Sequence, residues 1–68
     1  MNTTERVLAT AWEMWGRTRR PVSAEDIART LGLDRETTQQ ALEALRIRAV
    51  FGDVGYGDDR IDEVSFAD

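Results

Sequence analysis

Apolar residues recur at helical spacing in three stretches of the chain and alternate in a fourth. Val7, Leu8, Ala11, Trp12 and Trp15 form the first stripe, the spacing of a helix face turned toward a core. Thr3 or Thr4 is placed to cap this helix, with Glu5 in its first turn. Gly16 is placed to end it, since glycine accepts the left-handed conformation that closes a helix. The pattern predicts a helix over about residues 3–16. Arg17 to Arg20 follows as a polar connector, and Pro21 and Val22 read as extended.

Ser23 opens a second helix, over about 24–31. Its hydroxyl can accept a backbone N–H bond, and Asp26 stands three residues on, an acidic variant of the capping box. Val22 and Ile27 have the spacing of a hydrophobic staple. Ile27, Ala28 and Leu31 make the buried face, Gly32 closes the helix, and Asp34 caps the next. That third helix, over about 35–46, places Thr38, Ala41, Leu42 and Leu45 at i, i+3, i+4 and i+7. Arg35, Glu36, Gln39, Gln40, Glu43 and Arg46 then face water or a partner.

The period changes after Arg48. Ala49-Val50-Phe51 reads as a short β run, and residues 52–59 contain three Gly and three Asp, which is hairpin-loop chemistry. From Arg60 to Phe66 apolar residues alternate, with a slip between Ile61 and Val64 that calls for a bulge or a change of register. The expected hairpin spans about 49–66, and residues 1–68 make a single domain, mainly α with a C-terminal β-hairpin.

The segment SAEDIARTLGLDRETTQQALEAL, Ser23 to Leu45, followed by the hairpin, resembles the winged helix-turn-helix superfamily. Its nearest likeness is to small regulators related to the multiple-antibiotic-resistance and leucine-responsive families. Ala28 lies four residues before Gly32, where a small side chain lets two helices approach, and Leu31 and Leu33 flank the turn. Thr38 departs from the pattern, standing where a β-branched apolar residue is usual, and its hydroxyl needs a partner such as the carbonyl four residues back. The hairpin departs too. Its tip region offers Asp53, Tyr56, Asp58 and Asp59 where DNA-binding members often carry Arg or Lys.

The resemblance implies a transcriptional regulator that reads double-stranded DNA with its third helix in the major groove. Arg35 suits guanine, Gln39 and Gln40 suit adenine, and Glu36 or Glu43 can accept from cytosine. Thr37, with the amides near Asp34, suits phosphate, as do Arg17, Arg19 and Arg20 in the connector. Such regulators commonly act as homodimers, and Trp12 and Trp15, three apart on the first helix, are candidates for that contact.

Charge complicates this expectation. The net charge is −4. Residues 1–48 hold eight Arg against seven carboxylates, +1, while residues 49–68 hold one Arg against six, −5. An acidic hairpin repels a duplex unless it points away or salt screens it. The alternative is a protein-interaction module without DNA binding, in which Asp58, Asp59, Asp62 and Glu63 meet a basic partner, or the tryptophan face binds protein.

Absent residue types remove other functions. With no Cys, His or Lys, the conventional zinc, iron–sulfur and haem sites, the Ser-His-Asp couple, the P-loop and the Schiff base are all excluded. The acidic loop lacks calcium-loop spacing. No enzyme, metal or cofactor is expected. No apolar run exceeds three residues, so neither a transmembrane helix nor a signal peptide is expected, and the expected compartment is the cytoplasm.

Overall fold

Asn2 starts the first helix in the structure, a computed structural model that describes residues 1–67. Its side-chain oxygen accepts the Glu5 N–H at 2.8 Å, and the Glu5 carboxylate accepts the Asn2 N–H at 3.2 Å. This reciprocal capping box, rather than Thr3 or Thr4, sets the start of α1 (Thr3–Thr18). Nor does Gly16 end the helix. Two more residues follow, and Arg19 closes it with φ 55°, its N–H bonded to the Trp15 carbonyl at 2.8 Å. One interior glycine costs about 1 kcal/mol. Burying a large side chain returns roughly 1.5–3 kcal/mol, and Trp15 is only 7% exposed.

Ser23 caps α2 (Ala24–Leu31) as expected, its hydroxyl oxygen accepting the N–H groups of Glu25 and Asp26. The reciprocal half of that box does not form. Asp26, one carbon shorter than Glu, pairs with Arg29 instead. Gly32 ends α2 in the left-handed region at φ 68°, and the Leu33 N–H reaches back to the Ala28 carbonyl at 2.9 Å. Asp34 then caps α3 (Arg35–Ile47) through the Thr37 N–H at 2.7 Å.

The end of α3 corrects the expected hairpin boundary. Ala49 adopts φ 60°, its N–H bonds the Arg46 carbonyl at 2.9 Å, and the Val50 N–H bonds the Leu45 carbonyl at 3.4 Å. Ala49 is thus the helix terminator, in the position Gly32 holds for α2, and Val50-Phe51 is a half-buried link rather than a strand. The strands are β1 (Val22–Ser23), β2 (Asp53–Gly57) and β3 (Arg60–Ser65).

All three strands pair antiparallel in the order β1-β3-β2. Val22 lies opposite Val64, so the extended segment before α2 becomes a strand of the sheet. The slip in alternation is a real bulge. Gly55 pairs Glu63 and the next residue, Tyr56, pairs Ile61, leaving Asp62 extra. The bulge lets Ile61 and Val64 both point inward, where each is 1% exposed.

Val7, Ala11 and Trp15 of α1 meet Ile27, Ala41, Leu42 and Leu45 of α2 and α3, with Ile61, Val64 and Phe66 closing the core. Thr38 is buried among them and donates its hydroxyl to the Asp34 carbonyl at 2.9 Å, the satisfaction its position requires. Phe66 holds the aromatic side of the core, edge-on to Trp12 at 5.0 Å and to Phe51 at 5.5 Å, and tilted against Trp15 at 6.3 Å. Among the described residues no helix is long and apolar enough to cross a membrane.

Candidate functional site

With Thr38, Ala41, Leu42 and Leu45 turned inward, helical geometry sends Glu36, Gln40, Glu43 and Ile47 to the opposite side of α3. Glu36 and Gln40 are exposed, and Ile47 is 72% exposed. Glu43 is engaged, since Arg46 donates three hydrogen bonds to its carboxylate at 3.1–3.3 Å. That pairing, with a smaller contribution from the Tyr56 phenol, holds the Arg46 guanidinium above its ordinary pKa. At the helix start, the Thr37 backbone and side chain hold the Asp34 carboxyl below its ordinary value. Thr37 itself is half-buried.

Gln39 does not project into solvent as a reader. Its amide nitrogen donates to the Ile61 carbonyl at 2.7 Å, and its amide oxygen accepts the Ile61 N–H at 2.9 Å. β1 covers β3 only at Glu63 and Val64. Gln39 therefore gives Ile61 what a further strand residue would give, and joins α3 to the hairpin across 22 positions of sequence. No periodicity announces this role. Position 39 merely borders the buried stripe.

Between α2, the start of α3 and the hairpin lies an open groove of about 510 Å³. Arg29, Arg35 and Arg60 line it, facing Glu25, Asp58 and Asp62, so its charges balance. The hairpin tip, Asp58-Asp59, is exposed, with φ 52° and 62°. These are the angles of a tight two-residue turn that Asn-Gly adopts more readily. Tyr56 is 59% exposed on β2.

The connector arginines separate. Arg19 caps α1 and lies over the Trp15 ring, 6.0 Å from its centroid. Arg17 and Arg20 line a second groove between the end of α1 and α2. The two tryptophans separate as well: Trp15 is in the core, and Trp12 is 57% exposed against Phe66.

Of the residues expected to read DNA, the structure brings Arg35, Glu36, Gln40 and the Arg46-paired Glu43 onto one helix and withdraws Gln39 into the fold. The chain matches no protein-family model, no curated protein and no solved structure. The site therefore rests on its own geometry.

Proposed function

We propose that the chain is a winged helix-turn-helix domain that binds double-stranded DNA with the outward face of α3. The element order α1-β1-α2-α3-β2-β3, with β3 between β1 and β2, supports the fold reading. The single observation that carries the function is the presentation of α3. Its inner face is sealed in the core, the Gly32 turn sets it against α2, and its outer face, polar at Glu36 and Gln40 and apolar at Ile47, is exposed beside a hairpin tied to it by Gln39. A helix held this way can enter a major groove about 12 Å wide. Gln40 is the base-reading side chain of that face, Arg35 reaches toward bases from the helix start at the edge of the groove beside the hairpin, and Glu36 discriminates by accepting from cytosine or repelling other edges. Regulation of transcription follows as the role of such a module.

The test is a duplex site selected from a random library, then measured against variants. Arg35→Ala and Gln40→Ala should each weaken that site by about 1–3 kcal/mol, with thermal melting unchanged because both side chains are exposed. Failure to select any site, or full affinity in both variants, contradicts the proposal.

A second reading has an observation of its own. Asp53, Asp58, Asp59, Asp62 and Glu63 are all exposed on the hairpin, a surface suited to a basic protein. Asp58→Asn with Asp59→Asn separates the two. Neutralising the tip strengthens duplex binding under the first reading and abolishes partner capture under the second. Trp12 marks the surface a homodimer would use, and sedimentation of Trp12→Ala against the parent chain tests it.

A further inference from the structure

The groove between α1 and α2 differs in charge from the groove beside α3. It measures about 540 Å³ and is lined by Arg17, Arg20 and Arg29, with Asp26 its only carboxylate among the described residues. Among the described residues neither Arg17 nor Arg20 has an ion pair, whereas Asp26 is already paired with Arg29. A chain of net charge −4 thus collects uncompensated cations on the flank of α2 and not on the hairpin.

From this charge separation we infer that the α1–α2 groove is a phosphate-binding surface, the place where this domain takes hold of a polyanion. The inference rests on the DNA reading for the identity of that polyanion and names the surface that supplies its backbone contacts. Guanidinium forks match the oxygens of a phosphate. The Ser23 hydroxyl oxygen accepts the Glu25 and Asp26 amides, which leaves the proton of this half-buried group to donate, and Thr30 adds an exposed hydroxyl. A ligand with several acceptor oxygens and no donors suits that set.

Arg29 lines both grooves. A backbone seated between α1 and α2 therefore continues around α2 to Arg35 at the start of α3. Phosphate contact on this side centres the electrostatic grip on Arg17 and Arg20, away from the acidic hairpin, whose Asp58 and Asp62 are met only where the backbone reaches Arg35.

The experiment is duplex affinity across a salt series, with inorganic polyphosphate as a second probe followed by amide NMR. Arg17→Gln with Arg20→Gln should lower the salt slope by about two, roughly one per lost phosphate contact. Arg17→Lys with Arg20→Lys should retain the slope, and Asp26→Asn should tighten binding several-fold. Polyphosphate alone should shift the amides of 17–20 and 29–30. An unchanged slope in the glutamine variant, with duplex binding intact, overturns the groove and leaves the α3 reading standing. Polyphosphate shifts without any duplex binding support the groove and overturn the α3 reading. Neither probe binding overturns both.

Discussion

Between Ser23 and Arg48 the helix ends are set by residues within a few positions: Ser23 and Asp34 cap, and Gly32 turns. Between Gly52 and Phe66 the chain takes its shape from far away. The hairpin has aspartates at both left-handed tip positions. It is held by the Gln39 amide, by β1, and by Phe66 lodged among α1 aromatics. One region is locally consistent, and the other is imposed by tertiary contact. The charge divides less cleanly: in the helical part Asp26 and Glu43 are paired with arginines while Glu13, Glu25 and Glu36 are exposed, as are the hairpin's acids. The part that organises α3 can therefore fold robustly, while the hairpin's pose depends on a few long-range anchors.

The sharpest way to break that contrast is Phe66→Ala. It removes the ring that Trp12, Trp15 and Phe51 pack against, and should cost about 3–5 kcal/mol. For a domain of this size that approaches the whole stability of the fold, so chemical denaturation should find the variant largely unfolded. A loss confined to the hairpin, with helix content and cooperativity unchanged, would show the two regions to be independent.

Gln39→Glu comes next. The introduced carboxylate can still accept the Ile61 N–H but meets the Ile61 carbonyl, to which it cannot donate. Replacing one hydrogen bond by a half-buried clash of acceptors should cost about 1–3 kcal/mol at neutral pH. Because folding favours the protonated form, its folded pKa is raised. The lost stability should return as pH falls through that raised value, which lies above the ordinary glutamate value of about 4.3. Gln39→Ala should show no such recovery. Hydrogen exchange at Ile61, followed against pH in both variants, reads this out, and identical profiles would remove the clamp.

Ala49→Gly works in the opposite direction. Ala49 occupies the left-handed position that glycine fills at the end of α2. Relieving it should stabilise the domain by up to about 1 kcal/mol. That is a rise in Tm of roughly 4–8 °C for a domain of this size, and no rise would mean the position is unstrained.

The smallest effect is a pH dependence at Asp34. Its folded pKa is lowered by the bond to Thr37. Its contribution is therefore complete above the unfolded value of about 3.9 and fades as pH falls through the lower folded value. Asparagine also caps well, so Asp34→Asn should flatten this part of the acid denaturation curve while preserving α3. An unaltered curve would place the acid sensitivity elsewhere.

These contrasts also explain what the sequence made legible. The α2–turn–α3 segment could be read because Ser23, Gly32 and Asp34 act on their neighbours. The bulge could be read because the slip between Ile61 and Val64 is a local break in period. The Asn2 cap carried a readable signal in Asn2-x-x-Glu5, yet Thr3 and Thr4 competed for it. Gly16 misled because one interior glycine costs only about 1 kcal/mol, while Arg19 takes the left-handed terminating position and the Trp15 carbonyl. Ala49 misled because alanine in the left-handed region contradicts its own preference, and only the packing of Val50 and Phe51 on the core accounts for it. Among the expected DNA contacts, the chemistry of Gln39 was visible but its partner was not, since nothing local marks a bond to a residue 22 positions away.

The central claim is that α3 presents a nucleic-acid-reading face. The most direct measurement is a backbone amide NMR titration of the intact chain with a mixed-sequence duplex at low salt, where non-specific binding is strongest. Fast-exchange shifts are expected at Arg35 and along the outward residues Glu36, Gln40, Glu43 and Ile47 of α3, with the Asp58-Asp59 tip unmoved. Shifts confined to the hairpin, or none at all, would contradict it.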